Sequence, residues 1–145
     1  MNIRKPDEAE INRVLALSQQ AMFEGTLGEV KLTNEEAKQM IDPLLRKGSN
    51  YLIAEEDNEL MGWILFGGTK DQFSNKEIGF IYELFVLEEY RGRKLSTQLV
   101  EAGIVQLKKE KYSEVRLSVF AGNYAVKIYE KLGFENKKIT MSRPL

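Results

Sequence analysis

Apolar residues between positions 8 and 48 recur every three or four residues, which predicts two amphipathic helices. Each predicted helix follows a polar residue that has a glutamate three positions later, the capping-box pattern. The two boxes are Asp7 with Glu10 and Thr33 with Glu36. The first helix is predicted to end near Gly25 and the second at Gly48. Pro43 has no N–H, so it is expected to kink or split the second helix.

Strand patterns dominate the middle of the chain. The predicted strands are residues 2–4, 51–55, 60–66 and 78–87. A four-residue polar connection typical of a hairpin joins the second to the third, and a polar loop at 69–77 joins the third to the fourth. The fourth strand is apolar and aromatic but contains one carboxylate, Glu83. Such a carboxylate must be paired, solvated in a cleft or shifted in pKa, whereas an outward-facing position would explain it without any function.

The C-terminal part of the chain alternates helix and strand. Helices are predicted at 95–109 and 125–132, and strands at 115–119 and 134–141. Gly133 suits the position that follows the last helix. The order is strand, two helices, three strands, helix, strand, helix and strand. It predicts one domain over residues 1–145, of α/β (α+β) class, with a mixed central sheet flanked by about four helices.

Composition narrows the chemistry that this domain can perform. The 145 residues include neither cysteine nor histidine. Disulfides, thiolate or imidazole metal sites, cysteine nucleophiles and serine–histidine triads are therefore excluded, and no metal site is predicted. Acid–base chemistry must come from carboxylates, lysine or tyrosine.

Charge and hydropathy exclude further classes of protein. The net charge of −1 gives no electrostatic reason to expect a nucleic-acid binder. No apolar run approaches the ~20 residues of a membrane span, and the first residues lack the apolar stretch of a signal peptide. We therefore expect a cytoplasmic protein without a membrane or nucleic-acid partner.

The turn at residues 88–94 carries the first chemical signal, because a strand runs there into a basic turn that opens a helix. The first N–H groups of a helix have no intrahelical partner and form an anion site with the helix dipole. Arg91, Arg93 and Lys94 add positive charge. A solvated basic turn explains these residues slightly better when they are considered alone. Likewise, Tyr129 on the apolar face of the last helix is explained by a core role with a satisfied hydroxyl.

In combination, these segments resemble the GNAT superfamily of acetyl-coenzyme A-dependent N-acetyltransferases. The first matching stretch runs from Glu83 to Ser96, across the strand, the basic turn and the helix start. The second runs from Ala125 to Phe134 and reads A-V-K-I-Y-E-K-L-G-F, close to the family's A-x-x-x-Y-E-K-L-G-F ending. The resemblance covers the C-terminal half by motif and the rest by the order of elements.

The resemblance implies a role for each matching residue. The backbone of Leu84, Phe85 and Val86 would bond the pantetheine arm of acetyl-CoA. The pyrophosphate would bind at the basic turn and helix start, at Arg91, Gly92, Arg93, Lys94, Leu95, Ser96 and Thr97. Tyr129 would be the general acid that protonates the leaving thiolate, and Glu83 the general base, directly or through water. An amine would then attack the thioester directly, which agrees with the absence of cysteine and histidine.

Three positions depart from the family: two lie within its loop pattern R/Q-x-x-G-x-G/A, and one precedes the tyrosine. Lys94 replaces the first glycine, so its side chain would either obstruct the pyrophosphate or bind it with a direct charge. Ser96 replaces the last small residue and is itself small. Many members have an asparagine seven residues before the tyrosine, where this chain has Gly122, so Asn123 is a weak candidate for a cofactor contact.

The sequence leaves three functions open. The first is acetyl transfer to a primary amine of a small molecule or a peptide. The second is a non-catalytic CoA-binding or sensing domain with an altered pyrophosphate loop, and the third is an interaction scaffold that binds no cofactor. The presence of both Glu83 and Tyr129 favours the enzyme. The acceptor is not readable from the sequence, and a homodimer, frequent in the family, is compatible with it.

Overall fold

Five strands form one sheet with helices packed on both of its faces, in a computed structural model that describes residues 1–145. The strands are β1 (Asn2–Arg4), β2 (Asn50–Glu56), β3 (Glu59–Lys70), β4 (Glu77–Val86) and β5 (Val115–Leu117). The helices are α1 (Glu8–Gly25), α2 (Asn34–Arg46), α3 (Leu95–Lys109) and α4 (Ala125–Lys131), and Glu88–Tyr90 forms a 3₁₀ turn. The predicted α/β class and the four flanking helices are confirmed.

The sheet is mixed, as predicted, and its strands lie in the order β1-β2-β3-β4-β5. The first four strands pair antiparallel, and β5 pairs parallel to β4 after the crossover through α3. The β2–β3 hairpin turns at Asp57 and Asn58, whose φ angles of 52° and 63° are those of a tight hairpin turn.

Each face of the sheet has its own core. On one face, side chains of α1 and α2 pack on β2, β3 and the end of β4, with Val14, Ile41, Ile53, Trp63 and Phe85 among the buried residues. On the other face, α3 and α4 pack on the same strands, with Ile64, Phe66, Ile81, Leu99 and Tyr129 among the buried residues. The split of apolar residues between the two faces determines which side of the sheet each functional side chain faces.

The helix starts form as the sequence predicts. Both capping boxes are present, the first with the Glu10 amide donating to Asp7 at 2.8 Å and the Asp7 amide donating to Glu10 at 2.9 Å. Pro43 does not split α2, because it lies one turn from the end at Arg46. Its missing N–H therefore costs a single intrahelical hydrogen bond.

The predicted loop at 69–77 is too long, since β3 continues to Lys70. Gly67 and Gly68 follow the predicted end of the strand at residue 66 but lie inside β3. A β-carbon at Gly67 would collide with Ser49, and one at Gly68 with the hydroxyl of Tyr112. These glycines let neighbouring side chains approach the sheet closely, so they do not break the strand.

The predicted sixth strand, residues 134–141, does not form, and β5 ends at Leu117 rather than at residue 119. The physical reason lies in the alternation of side chains. One face of the segment would carry only Phe134 among polar residues, and Ile139 and Met141 on the other face are exposed. Without an apolar face, the segment gains little by pairing with the sheet.

None of the helices is long and apolar enough to cross a membrane.

Candidate functional site

The sheet opens between β4 and β5. The two strands pair only from Gly79 opposite Val115 to Ile81 opposite Leu117. β4 continues to Val86 and stays paired with β3 on its other side. The edge of β4 from Tyr82 to Val86 therefore has no strand neighbour on the β5 side. Leu84, Phe85 and Val86, the predicted pantetheine contacts, lie on this open edge.

A β-bulge in β4 determines which face Glu83 occupies. Leu65 pairs with Glu83 and Phe66 pairs with Ile81, so Tyr82 is the extra residue. Ile81 packs in the core on the α3 side. In a regular strand Glu83 would share that face, but the extra residue turns it to the α1 side, as bulges do near functional sites.

The carboxylate of Glu83 is held through one of its oxygens. Oε1 accepts a hydrogen bond from Trp63 Nε1 at 2.6 Å and one from Ser18 Oγ at 3.2 Å. Oε2 has no hydrogen-bond partner in the protein. Tyr51 Oη is the only fully buried side-chain polar atom that lacks a partner, so Oε2 of Glu83 is not fully buried and remains accessible. Burial raises the pKa of Glu83 to about 7, against the lowering effect of the two hydrogen bonds. This value suits a group that exchanges protons at neutral pH.

Tyr129 lies on the opposite face of the sheet from Glu83. Its ring is 9% exposed, packs in the core on the α3 side and meets Phe134 edge-on at 5.8 Å between centroids. Its hydroxyl has no protein partner and is not fully enclosed. Burial raises the pKa of Tyr129 to about 12, so the hydroxyl keeps its proton at neutral pH. The two candidate catalytic groups thus lie on opposite faces of one sheet. The opening between β4 and β5 connects the two faces.

The turn before α3 has the backbone conformation of a glycine-rich loop. Gly92 has φ 82°, and Lys94 has φ 61° and ψ 24°, a left-handed conformation that costs an ordinary residue roughly 1–2 kcal/mol. Lys94 is also the N-cap of α3, and no side chain caps this helix. The N–H groups at Leu95, Ser96 and Thr97 begin a helix with no acidic residue in its first turn. The turn therefore keeps the geometry of an anion site although lysine replaces the glycine.

The two arginines of the turn contact the protein itself. Arg91 donates from Nε to the Val86 carbonyl at 2.9 Å, pairs with Glu24 of α1 at 3.3 Å and covers the Phe85 ring at 5.4 Å. Arg93 lies over the Tyr90 ring at 5.6 Å. Glu24 thus partly neutralises Arg91, whereas Lys94 makes no ion pair.

Asn123 joins two elements beside the opening. Its Nδ2 donates to the Gly25 carbonyl at the end of α1 at 2.9 Å, and its Oδ1 accepts from the Ala125 amide at the start of α4 at 2.9 Å. The last turn of α1 therefore contacts both sides of the opening, through Arg91 on one side and Asn123 on the other. In this position Asn123 lies beside the opening, and one N–H of Nδ2 and one lone pair of Oδ1 remain without a protein partner.

A groove of about 470 Å³ lies on the Glu83 face, between α1 and the end of β4. Its walls are Leu17, Gln20, Phe85, Leu87, Glu88 and Glu89. Phe85 lies two residues beyond Glu83 on the same face of β4. The two glutamates give the groove a negative rim suited to a cationic group. Neither this groove nor a depression of about 270 Å³ at the far end of β3, around Gly67 and Gly68, has Glu83 or Tyr129 in its lining.

Sequence reasoning found Glu83 and Tyr129 but missed the residues that hold Glu83. The sequence favours sheet packing as the role of Trp63 over a place in the acceptor cleft, and it does not single out Ser18. The signal for Trp63 is the requirement that a buried indole N–H find an acceptor. Ser18 carries a weaker signal, a hydroxyl on the apolar face of α1. The contact between α1 and β4 that joins Ser18 to Glu83 is not visible in the sequence.

The architecture is that of the GNAT fold. A variant of the BH1408 protein of Bacillus halodurans superimposes with a TM-score of 0.81 at 22% identity, over all of both chains. An aminoglycoside N-acetyltransferase in complex with CoA superimposes with a TM-score of 0.77 at 19% identity, over 99% of this chain and 93% of that one. At these identities the likeness shows the fold alone.

The sequence itself matches the family model described as the acetyltransferase (GNAT) domain over residues 16–143. The chain therefore belongs to the GNAT acetyltransferase family. It is 32% identical over 107 residues to an N-alpha-acetyltransferase of Saccharolobus solfataricus, an alignment that covers 68% of this chain. The aligned part spans 64% of the length of that relative.

Proposed function

We propose that the protein transfers an acetyl group from acetyl-CoA to a primary amine by direct attack of the amine on the thioester. The observation that carries the proposal is the open edge of β4, with the free oxygen of Glu83 on one face of the sheet and the hydroxyl of Tyr129 on the other. Direct transfer needs a base beside the amine and an acid beside the sulfur, on opposite sides of the reacting carbonyl.

The cofactor would bind along this opening. Backbone groups on the open edge at Leu84, Phe85 and Val86 would pair with the amides of the pantetheine arm, as a neighbouring strand would. The pyrophosphate would bind at the uncapped start of α3, near Gly92, Arg93, Lys94, Leu95, Ser96 and Thr97. An N–H on the strand edge near Phe85 would stabilise the charge that develops on the thioester oxygen.

Glu83 would accept the proton of the attacking amine, directly or through one water. The base is suited to an α-amino group, whose pKa is about 7.8, because transfer to a carboxylate with a pKa of about 7 costs roughly 1 kcal/mol. The same transfer from a lysine ammonium, with a pKa of about 10.4, costs between 4 and 5 kcal/mol, roughly. This difference favours a peptide or protein N-terminus as acceptor, in keeping with the relative's name, and the acidic rim of the groove favours its ammonium.

Tyr129 would assist departure of the thiolate. A thiol has a pKa of about 8.5, well below the value of about 12 for Tyr129. Complete proton transfer from the tyrosine is therefore unfavourable, and its main contribution is a hydrogen bond that strengthens as charge develops on sulfur. The raised pKa keeps the donor protonated over the working pH range.

A panel of amines tests the proposal. Peptides with a free N-terminus, the same peptides acetylated at the N-terminus but containing lysine, and an aminoglycoside are incubated with acetyl-CoA. CoA release and the mass of each amine are then followed. We expect release with addition of one acetyl group, fastest on free N-termini. Binding of CoA without transfer to any amine would instead favour the sensing domain.

Binding of acetyl-CoA should stabilise the fold. A ligand that binds only the native state at 100 times its dissociation constant adds about 2.7 kcal/mol, which raises the melting temperature of a chain of this size by roughly 5–10 °C. Differential scanning fluorimetry with acetyl-CoA, and with acetate as the control, measures the shift. An unchanged melting temperature at millimolar acetyl-CoA would contradict both the enzyme and the sensing domain.

Substitution of Lys94 separates its backbone strain from its charge. Lys94→Gly should stabilise the free protein by about 1 kcal/mol, because glycine adopts positive φ readily, and should weaken CoA binding about tenfold or more through loss of a charge-assisted contact. Lys94→Ala is the matched control, since it removes the charge but keeps the strain. Calorimetric titration at two salt concentrations should show the wild type more salt-sensitive than either variant. Tighter binding by the glycine variant would show that the lysine obstructs the cofactor.

A further inference from the structure

Glu83 belongs to β4, yet both of its hydrogen-bond donors come from other elements. Trp63 is on β3 and Ser18 is on α1, and both donate to Oε1. With one oxygen fixed in this way, the carboxylate cannot rotate without losing both bonds. Its other oxygen, which has no protein partner, is therefore kept in one orientation.

The geometry of the two donors is set by the sheet. Trp63 pairs in register with Phe85, and the two rings are in contact at 5.0 Å between centroids. Glu83 lies two residues before Phe85 on the same face of β4, so this ring contact keeps the indole beside the carboxylate. The Trp63 side chain is fully buried, and its N–H would be left without an acceptor if Glu83 were removed. Packing and hydrogen bonding thus fix the same contact.

Ser18 is fully buried on the face of α1 that otherwise packs with Val14, Leu15 and Ala21. Its hydroxyl proton has two acceptors, the Val14 carbonyl at 3.0 Å and Glu83 Oε1 at 3.2 Å. An alanine would fill this packing role without the cost of burying a hydroxyl. The hydrogen bond to Glu83 Oε1 therefore explains a serine at this position, which packing alone does not.

The surroundings of the carboxylate contain no charge that competes with these donors. The neighbouring elements carry, among other ionisable groups, Tyr51 on β2, Asp42 on α2, Glu24 on α1, and Glu88, Glu89 and Arg91 beyond β4, and none of them is among the causes that shift the pKa of Glu83. Asp42 acts on Tyr51, and Glu24 pairs with Arg91. The pKa of Glu83 is shifted by burial, Trp63 and Ser18 alone. Burial and, less strongly, the charge of Glu83 raise the pKa of Tyr51, whose hydroxyl is enclosed.

We propose that Trp63 and Ser18 are positioning residues for Glu83, which hold Oε1 so that Oε2 faces the acceptor amine and which stabilise the ionised carboxylate. The catalytic part of this inference rests on the proposed function, but the hydrogen-bonded arrangement does not. Trp63 would then act on the reaction only through Glu83.

Trp63 is the single tryptophan of the chain, so its fluorescence reports directly on the group that accepts its N–H. In a pH titration of the free protein, we expect a change of emission with a midpoint near pH 7. The change should vanish in Glu83→Gln. In Ser18→Ala the midpoint should rise by up to about one pH unit, because a donor to the ionised form is lost.

Ser49→Ala is the matched control. It removes a serine hydroxyl from another buried position, beside Gly67, and that hydroxyl makes no hydrogen bond to Glu83, so the midpoint should stay at the wild-type value. A midpoint that moves equally in Ser18→Ala and Ser49→Ala would overturn the assignment of Ser18. A titration that persists in Glu83→Gln would overturn the link between Trp63 and Glu83.

The catalytic part is tested by the pH dependence of kcat/KM. The acidic limb should move upward with the fluorescence midpoint in Ser18→Ala, and by roughly one to two pH units in Trp63→Phe. Ser18→Ala keeps the test decisive if the larger substitution impairs folding. If the midpoint moves while the limb does not, the positioning of Glu83 stands and its role as the base is wrong. If neither moves in Ser18→Ala, the positioning itself is wrong.

Discussion

Tyr129→Phe should lower kcat about a hundredfold or more while leaving the affinity for acetyl-CoA nearly unchanged. General acid catalysis contributes roughly 10²–10⁴-fold, and a donor with a pKa of about 12 is expected at the lower end of that range. The ring packs in the core but its hydroxyl makes no protein hydrogen bond, so the variant should fold normally. Steady-state kinetics with a peptide acceptor, together with calorimetric titration of CoA, measure the two effects.

Tyr124→Phe is the control for this substitution. Tyr124 precedes α4 and is mostly exposed, so loss of its hydroxyl should leave turnover at the wild-type level. Full activity in Tyr129→Phe would mean that the tyrosine is a packing residue. Equal losses in both variants would indicate a general disturbance of α4.

Glu83→Gln should remove the acidic limb of the kcat/KM profile and lower kcat/KM by about 10²–10⁴-fold at neutral pH. In the wild type the limb should lie near pH 7, where the carboxylate loses its proton and becomes a base. The exposed Glu77 at the start of the same strand provides the control, and Glu77→Gln should keep both the limb and the rate. An unchanged limb in Glu83→Gln would assign it to another group.

The same substitution should change stability in the opposite direction to activity. The folded-state pKa of Glu83 lies above its unfolded value, so the native state binds the proton more tightly. The contribution of Glu83 to stability is therefore fully present below about pH 4.5 and is lost as pH rises to about 7, by on the order of 3 kcal/mol. Chemical denaturation at pH 5 and pH 8 should show this loss in the wild type and a smaller one in Glu83→Gln. An equal pH dependence in the two proteins would contradict the burial of the charge.

Local patterns in the sequence were sufficient for most elements. The capping boxes, the helical spacing and the hairpin connection each depend on residues a few positions apart, and all formed as predicted. The prediction missed the extension of β3 through Gly67 and Gly68. These glycines leave room for the side chains of Ser49 and Tyr112, which are distant in sequence, so the sequence alone does not show why they occur inside a strand. The sixth strand was predicted over residues 134–141 although its apolar residues, Phe134, Ile139 and Met141, do not share one face.

The candidate site was predicted in its types of residue but not in its geometry. Glu83 and Tyr129 were found through motifs, yet the face that each one occupies depends on the bulge at Tyr82 and on the packing of α4. The sequence left open whether Lys94 obstructs the pyrophosphate or binds it, and the left-handed backbone at this residue does not decide between the two. The engagement of Arg91 with Glu24 and of Asn123 with Gly25 was not predictable, because α1 reaches the opening only in the folded chain.

The central claim is that one reaction occurs in the opening between β4 and β5, with Glu83 and Tyr129 on its two sides. A crystal structure with a bisubstrate adduct, a peptide N-terminus joined to CoA through an acetyl linker, tests it most directly. We expect the pantetheine arm along Leu84–Val86, Glu83 Oε2 bonded to the peptide nitrogen directly or through one water, and Tyr129 Oη bonded to the sulfur. An adduct bound elsewhere, or one whose nitrogen and sulfur contact neither group, would contradict the claim.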